Sequence, residues 1–390
     1  MRILNDQIPQ KDAGRQFGAA PVLLLCFFLY LAASCFILDA TRFRAEKPHA
    51  ETMRLAAEQT ARCFAVLKDE RLRRGYEIIP TDDPNLTGMV GYDFTEITTS
   101  HGSLEAKRST TNPNTAAMIT DLLVQCGVKE GDLVAVNLSS SFPCLNVATL
   151  CALDALGAEG VIINSVGAST YGANLPGFVY LDMEQTLLSE GLIRNHSFAF
   201  SMGGDYDIGY GMPDQDLVKT IEDRIRGYGL QFLHYKDIDE NLAARLELYL
   251  GRAAGNDGLG LSRPGSASDF RCLVNAGGNI LAFGGGEGLI SAKSGILRPG
   301  RKPEEGKGLI PWFLNQGVPV IHLLNMNSLL PENGLPFDPI PLPAPGTGDV
   351  YFEMRYRKEL VLLLSAGALL ILAVTALRFP RRHPIQKGLL

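Results

Sequence analysis

The sequence predicts an α/β fold, a layered soluble domain built on a mostly parallel sheet and held between two transmembrane helices. Three observations carry this expectation. Two uncharged apolar runs near the ends of the 390-residue chain, Ala19 to Leu38 and Leu360 to Leu377, are each long enough for about 30 Å of helix. Between them, short apolar segments alternate with helix-like stretches, the pattern of strand–helix–strand units. Hydrophobic residues make up 46% of the chain and charged residues 20%, so there is enough apolar surface to offset the entropy of ordering, which excludes a disordered chain.

Charge excludes a further class. The net charge is −6, and all but 7 of the 36 basic and all but 2 of the 42 acidic residues lie in 39–359, leaving that segment near −11. An acidic body lacks the basic surplus that phosphate neutralisation needs, so no nucleic-acid partner is expected.

Residues 1–18 form a short tail, and 19–38 form the first span. A signal peptide has an apolar region of roughly 7–15 residues, whereas Phe36, Ile37 and Leu38 carry this run past the small residues Ala32, Ala33 and Ser34. An uncleaved anchor is therefore expected, over cleavage or a lipid-modified Cys35. Within 39–79, His49 to Arg74 places Met53, Leu55, Ala56, Ala57, Phe64, Ala65 and Leu67 among Arg and Glu, partly at helical spacing, which predicts a helical spacer.

The α/β domain is expected over 80–330. Helices are predicted at Ala116–Gln125, Pro143–Leu156, Asp214–Gly227, Asp237–Leu250 and around Trp312–Gln316. Strands are predicted at Leu133–Leu138, Val161–Asn164, Ser197–Met202, Phe270–Asn275 and Val318–Leu324, which together give a Rossmann-like sheet. A linker or surface strap follows over 331–359, holding six prolines and three glycines between Pro331 and Gly348. The second span, 360–377, and a basic tail, 378–390, complete the chain.

Two spans put both termini on one side of the membrane. The basic-residue rule does not say which, because the tails carry seven Lys and Arg and the flanks facing the domain carry six. Five cysteines lie between the spans, an odd number with no short paired spacing, so neither a disulfide framework nor a CxxC metal pair is expected. His101, His196, His234 and His322 likewise lack metal-ligand spacing, and the acidic pairs Asp182/Glu184 and Asp205/Asp207 read as loop or helix-start residues. No GxGxxG or P-loop pattern occurs, and no cofactor is expected.

In open α/β sheets ligands gather where strands end and helices begin. One such place is Ser139-Ser140-Ser141, ahead of Pro143, where hydroxyls and a helix N-terminus favour anions or simply cap the helix. A second is the run from Asn164 and Ser165 through Ser169, Thr170 and Tyr171 to Asn174. A third holds Gly203, Gly204 and Asp205, and a fourth Asn275 to Asn279 with Gly284 to Gly286. Together they predict a polar cleft with close backbone approach.

The blocks Ile97-Thr98-Thr99, Gly102 to Arg108, Asn112-Pro113, Ser141 to Asn146, Ser165 to Asn174, Leu181 to Glu184 and Gly203-Gly204-Asp205 resemble the bacterial poly-γ-glutamate system proteins over about residues 80–325. The chain departs from that pattern at Ser140, where a glycine is expected. The resemblance implies a membrane-anchored accessory protein whose partners are the synthase and exporter membrane proteins of poly-γ-glutamate, the polymer itself and the membrane. On that basis Lys107 and Arg108, with the serine and Ser165–Asn174 loops, are expected to bind the polymer's carboxylates. Two alternatives stand beside it. One is an amidohydrolase or transpeptidase acting on the γ-glutamyl polymer through a loop serine, and the other is a purely structural assembly subunit.

Overall fold

The computed structural model describes residues 19–210, 212, 216–253, 265–278, 280–284 and 293–378. The 1–18 tail, the C-terminal tail from 379 onward, the helix start at Asp214, Asn279 and the Gly285-Gly286 turn lie outside the described residues. The chain divides into two compact units, Met1–Ala45 with Glu353–Leu390, and Glu46–Phe352.

The first unit holds helices Ala19–Ala40 and Lys358–Arg378. Both contain a 19-residue stretch long and apolar enough to cross a membrane. Many of their large apolar side chains are exposed, Leu25, Phe28, Leu362 and Leu369 among them. The Tyr30 hydroxyl donates to the Leu364 carbonyl at 2.8 Å. Gly367 makes room for that ring, since a Cβ there would lie 2.2 Å from the tyrosine oxygen.

The second unit is built on a seven-stranded sheet. Its strands are β1 (Leu133–Asn137), β2 (Glu159–Ser165), β3 (Ala199–Ser201), β4 (Gln231–Leu233), β5 (Phe270–Ala276), β6 (Gly295–Leu297) and β7 (Val320–Leu323). They lie in the order β6-β7-β5-β1-β2-β3-β4, all parallel except β6, which runs antiparallel to β7 at one edge. The central strands are near-continuous apolar runs because both faces of a parallel sheet are covered. Their alternate side chains enter two separate cores. Val134, Val136, Ile162, Phe200 and Val274 join Met118, Leu145 and Leu150 of helices Thr115–Gln125 and Pro143–Leu156. Ala135, Val161, Ile163 and Leu273 join the opposite layer, where Tyr249, Phe270 and Phe313 meet edge to face with centroids 6.0–6.2 Å apart.

The chain lays down β1 to β4 outward in one direction and then crosses to place β5 on the other side of β1. The connections leaving β1 and β5 therefore part company, and a crevice opens at their carboxyl ends. Two further short pairings lie outside the sheet: Thr98–Ser100 runs parallel to Ala168–Ser169, with Ser100 and Ser169 bordering the crevice, and Asn174–Leu175 pairs antiparallel with Phe178–Val179.

The helix expected as a spacer, Ala50–Arg73, is instead a core element. Met53, Ala56, Ala57, Thr60, Cys63 and Leu67 are fully buried, and the helix packs on Thr115–Gln125 and Pro143–Leu156. These positions recur every three or four residues, a stripe wide enough to be one face of a core. Arg71 continues the stripe, its two Nη groups donating to the Gly88, Val90 and Glu77 carbonyls while its buried Nε has no hydrogen-bond partner among the described residues. The edge strands β4 and β6, only three residues each, give no periodic signal that the sequence could reveal.

The proline-rich stretch is a strap. Asn85 donates to the Pro339 carbonyl and Asn114 to that of Ala344, both at 3.0 Å, and the Tyr351 hydroxyl donates to Asn114 Oδ1 at 2.6 Å. Leu67→Ala tests the new place of the first core helix. Urea denaturation of the full chain in detergent is expected to show a loss of about 2–5 kcal/mol, as for a buried leucine. A detached spacer would lose no more than about 0.5 kcal/mol.

Candidate functional site

An open cavity of about 640 Å³ lies where the crevice between β1 and β5 meets helix Leu104–Thr110. Ser141 follows β1, Ser169 follows β2, Gly278 follows β5 and Asn325 follows β7, so four parallel strands deliver one wall. His101, Ser103, Glu105 and Lys107 form the other.

Lys107 is the chemical centre of the cavity. Its side chain threads between the two loops that follow β1 and β2, and only 4% of the residue is exposed. The amine hydrogen-bonds the Ser141 carbonyl, lies 2.9 Å from Ser169 Oγ and sits 3.7 Å from the centroid of the Phe142 ring. No carboxylate hydrogen-bonds it among the described residues. Burial without a counter-charge disfavours the ammonium, and the Lys107 pKa is pushed down to about 7.

The surrounding loops are held so that they cannot drift from this amine. Ser140 Oγ bonds the Ser165 carbonyl, and the Ser140 carbonyl accepts from Ala173 N–H at 2.9 Å. Ser141 N–H donates to Ser139 Oγ at 3.2 Å, and Ser169 N–H donates to Ser141 Oγ at 3.0 Å. Thr170 Oγ1 accepts from Gly102 N–H at 2.8 Å, which draws the Gly102 backbone against the serine. A Cβ at Gly102 would lie 2.8 Å from Ser169 Oγ, so only glycine fits there.

Of the residues expected at the site, Lys107, Ser141 and Ser169 line the cavity. Arg108 does not: its guanidinium makes a two-pronged ion pair with Asp338 of the strap, which also holds its pKa above the usual value. Ser139, Ser140, Ser165 and Thr170 position the loops, and Tyr171 takes a left-handed backbone, φ 62°, at the turn. Asn174 is buried, bonding the Tyr92 backbone in both directions and the Thr98 hydroxyl. Asn164 is buried beneath the strand end, its Oδ1 accepting from Ser165 N–H at 2.8 Å.

The third expected strand end also turns away from the cavity. Gly203 packs against Gly167, Gly204 is left-handed with φ 74°, and Asp205 is an exposed bridge partner of Tyr210. The force that pulls this loop aside is a buried ion pair two residues on. Arg245 reaches Asp207 and donates to Ser201 Oγ at 2.6 Å and Asn137 Oδ1 at 3.2 Å, while Gly203 N–H donates to Asp207 at 3.0 Å. The network continues across the sheet, from Asn137 to Asn275 at 2.7 Å and from Asn275 to His322 at 3.1 Å. Burial pushes the His322 pKa down to about 4, so the ring is neutral near pH 7.

The acidic pairs are structural. Asp182 accepts from Val179 N–H at 2.8 Å and pairs with Arg224, and Glu184 accepts from Ser197 N–H and Oγ at 2.8 Å each. Burial pushes the Glu184 pKa up to about 7. Among the described residues no cluster of His, Cys, Asp or Glu could hold a metal ion. Sequence reasoning missed His101, Ser103 and Glu105. The Ser103 hydroxyl caps its helix through Ala106 N–H at 3.2 Å and donates to Glu105 at 2.8 Å. A serine placed just before the helix-forming run Leu104-Glu105-Ala106-Lys107 was the available signal.

No family model matches this chain, and neither a curated protein nor a solved structure matches it.

The depressed lysine makes stability depend on pH with a definite sign. Below about pH 7 Lys107 is protonated in both states and folding carries the full cost of burying the ammonium. Between about 7 and the unfolded value near 10.4 the unfolded chain binds more protons, so stability rises with pH by up to about 1.4 kcal/mol per unit. Lys107→Met removes this slope. Urea titrations across that window are expected to show the unchanged protein gaining on the variant, and parallel curves would contradict the uncharged burial.

Proposed function

We propose that this chain is a membrane-anchored accessory protein of poly-γ-glutamate synthesis or export, and that its cavity receives a segment of γ-glutamyl chain. The observation that carries this is the cavity beside Lys107, bordered by Ser103, Ser141 and Ser169, which fall in the blocks that resemble the poly-γ-glutamate system proteins, and by Asn325 and Asn327. A γ-glutamyl chain alternates amides with carboxylates. Neutral hydroxyls and side-chain amides match the former. The acidic body discourages sticking elsewhere.

The same proposal makes the strand order Rossmann-like, because the order reverses between β1 and β5 and the cavity lies at that reversal. It takes the two apolar helices as membrane spans, with both termini cytoplasmic and residues 39–359 outside, where an exported polymer is met. Synthase and exporter membrane proteins are its partners in this account.

Asn327 is an exposed residue at the cavity edge and gives a test in both directions. Calorimetry of oligo-γ-glutamate on the full chain in detergent micelles is expected to give weaker binding for Asn327→Asp and tighter binding for Asn327→Lys. Each change is expected at about fivefold, as one partly exposed charge contributes roughly 1 kcal/mol. Absent binding to the unchanged protein, or identical affinities in all three forms, contradicts the proposal.

A further inference from the structure

We propose that Ser169 and Lys107 form a nucleophile–base pair, so that the cavity carries out acyl transfer as well as binding. Ser169 Oγ lies 2.9 Å from Lys107 Nζ, inside the range for proton transfer along a hydrogen bond. The serine lines the cavity and the lysine is sealed beneath it. Activated serines need a base that is free at working pH.

The valences of the amine fit the role. An uncharged amine has two N–H groups and one lone pair. One N–H is taken by the Ser141 carbonyl, which fixes the orientation of Nζ. The lone pair is then left for the Ser169 hydroxyl. The Phe142 ring, 3.7 Å away, shields one side of the amine from water; the burial of the whole side chain, rather than the ring face, is what disfavours the ammonium. A merely structural lysine would be expected to find a carboxylate. Glu105 is near in sequence, but its carboxylate is held instead by its own backbone N–H and by the Ser103 hydroxyl.

The step balances. Ser169 Oγ attacks an amide carbonyl carbon and its proton passes to Lys107 Nζ. As the carbon–nitrogen bond breaks, that proton goes to the departing amine, leaving an acyl ester on Ser169. Water then releases the acid, or a second amine takes the acyl group, with Lys107 again accepting and returning one proton. The pair itself does not depend on the polymer. A γ-glutamyl amide as the natural acyl donor rests on the function proposed above.

The test is labelling of the full chain in detergent with a fluorophosphonate, which an activated serine attacks with loss of fluoride. Intact mass and peptide mapping are expected to show one adduct at Ser169, absent from Ser169→Ala and at least a hundredfold slower in Lys107→Met, while the exposed Ser189→Ala still labels. The unchanged protein gives a reading that needs no variant to fold: its labelling rate should rise about tenfold per pH unit below pH 7 and level off above it. No adduct at Ser169, or a rate indifferent to pH between 5 and 9, overturns the pair. Shortening of poly-γ-glutamate by the labelling-competent protein supports the γ-glutamyl donor, and an unshortened polymer removes that donor while the adduct keeps the pair.

Discussion

The burial of one amine without a counter-charge organises this molecule's site. Lys107 Nζ is where the helix Leu104–Thr110 meets the loops that follow β1 and β2, through the Ser141 carbonyl and Ser169 Oγ. Those contacts require the two loops to lie side by side, which the hydrogen bonds from Ser140 to the Ser165 carbonyl and from Ala173 to the Ser140 carbonyl secure. They also require a close backbone at Gly102, where a side chain would collide with the serine. Had a carboxylate paired with the amine, the same geometry would make an ordinary salt bridge with an ordinary charge. With only neutral partners it makes a lysine that changes protonation near neutral pH.

A second polar structure lies deeper and decides which strand-end loops can reach the cavity. The chain of contacts from Asp207 and Arg245 through Asn137 and Asn275 to His322 crosses the strand reversal beneath the opening. Buried polar groups are costly unless each is satisfied, and here Asp207 consumes the N–H of Gly203 to be so. The loop at Gly203 is thereby anchored away from the cavity. The strap does the equivalent for Arg108, whose guanidinium is neutralised by Asp338 and so unable to meet a ligand. Two neighbouring basic residues thus have opposite fates, one tied at the surface and one sealed in.

Much of the fold was legible in the sequence. The central strands and the helices Thr115–Gln125 and Pro143–Leu156 lie where periodicity puts them, because segments buried on both sides must be apolar throughout. The apolar helices at the two ends were equally plain, since length and lack of charge are written directly in the residues. The helix Ala50–Arg73 was visible, but its role was not. Arg and Glu on its outer face concealed a stripe from Met53 to Arg71 that meets the core. At the site, Ser141 and Ser169 stood out as hydroxyls at strand ends and Lys107 came with the resemblance, whereas that Arg108 and Asp205 lie off the cavity depends on Asp338 and Asp207, partners set by tertiary contacts. The state of Lys107 was also hidden, because a lysine's charge depends on what surrounds it rather than on its neighbours in the chain.

The most direct measurement is the titration of that amine. Nuclear magnetic resonance of ¹⁵Nζ-lysine-labelled protein in detergent micelles, with Lys107→Arg to assign the signal, follows its protonation between pH 5 and 11. The account predicts an inflection for Lys107 at about 7, apart from the exposed lysines. An inflection in the ordinary lysine range, near 10.4, would show a charged amine with an unseen counter-charge and contradict it.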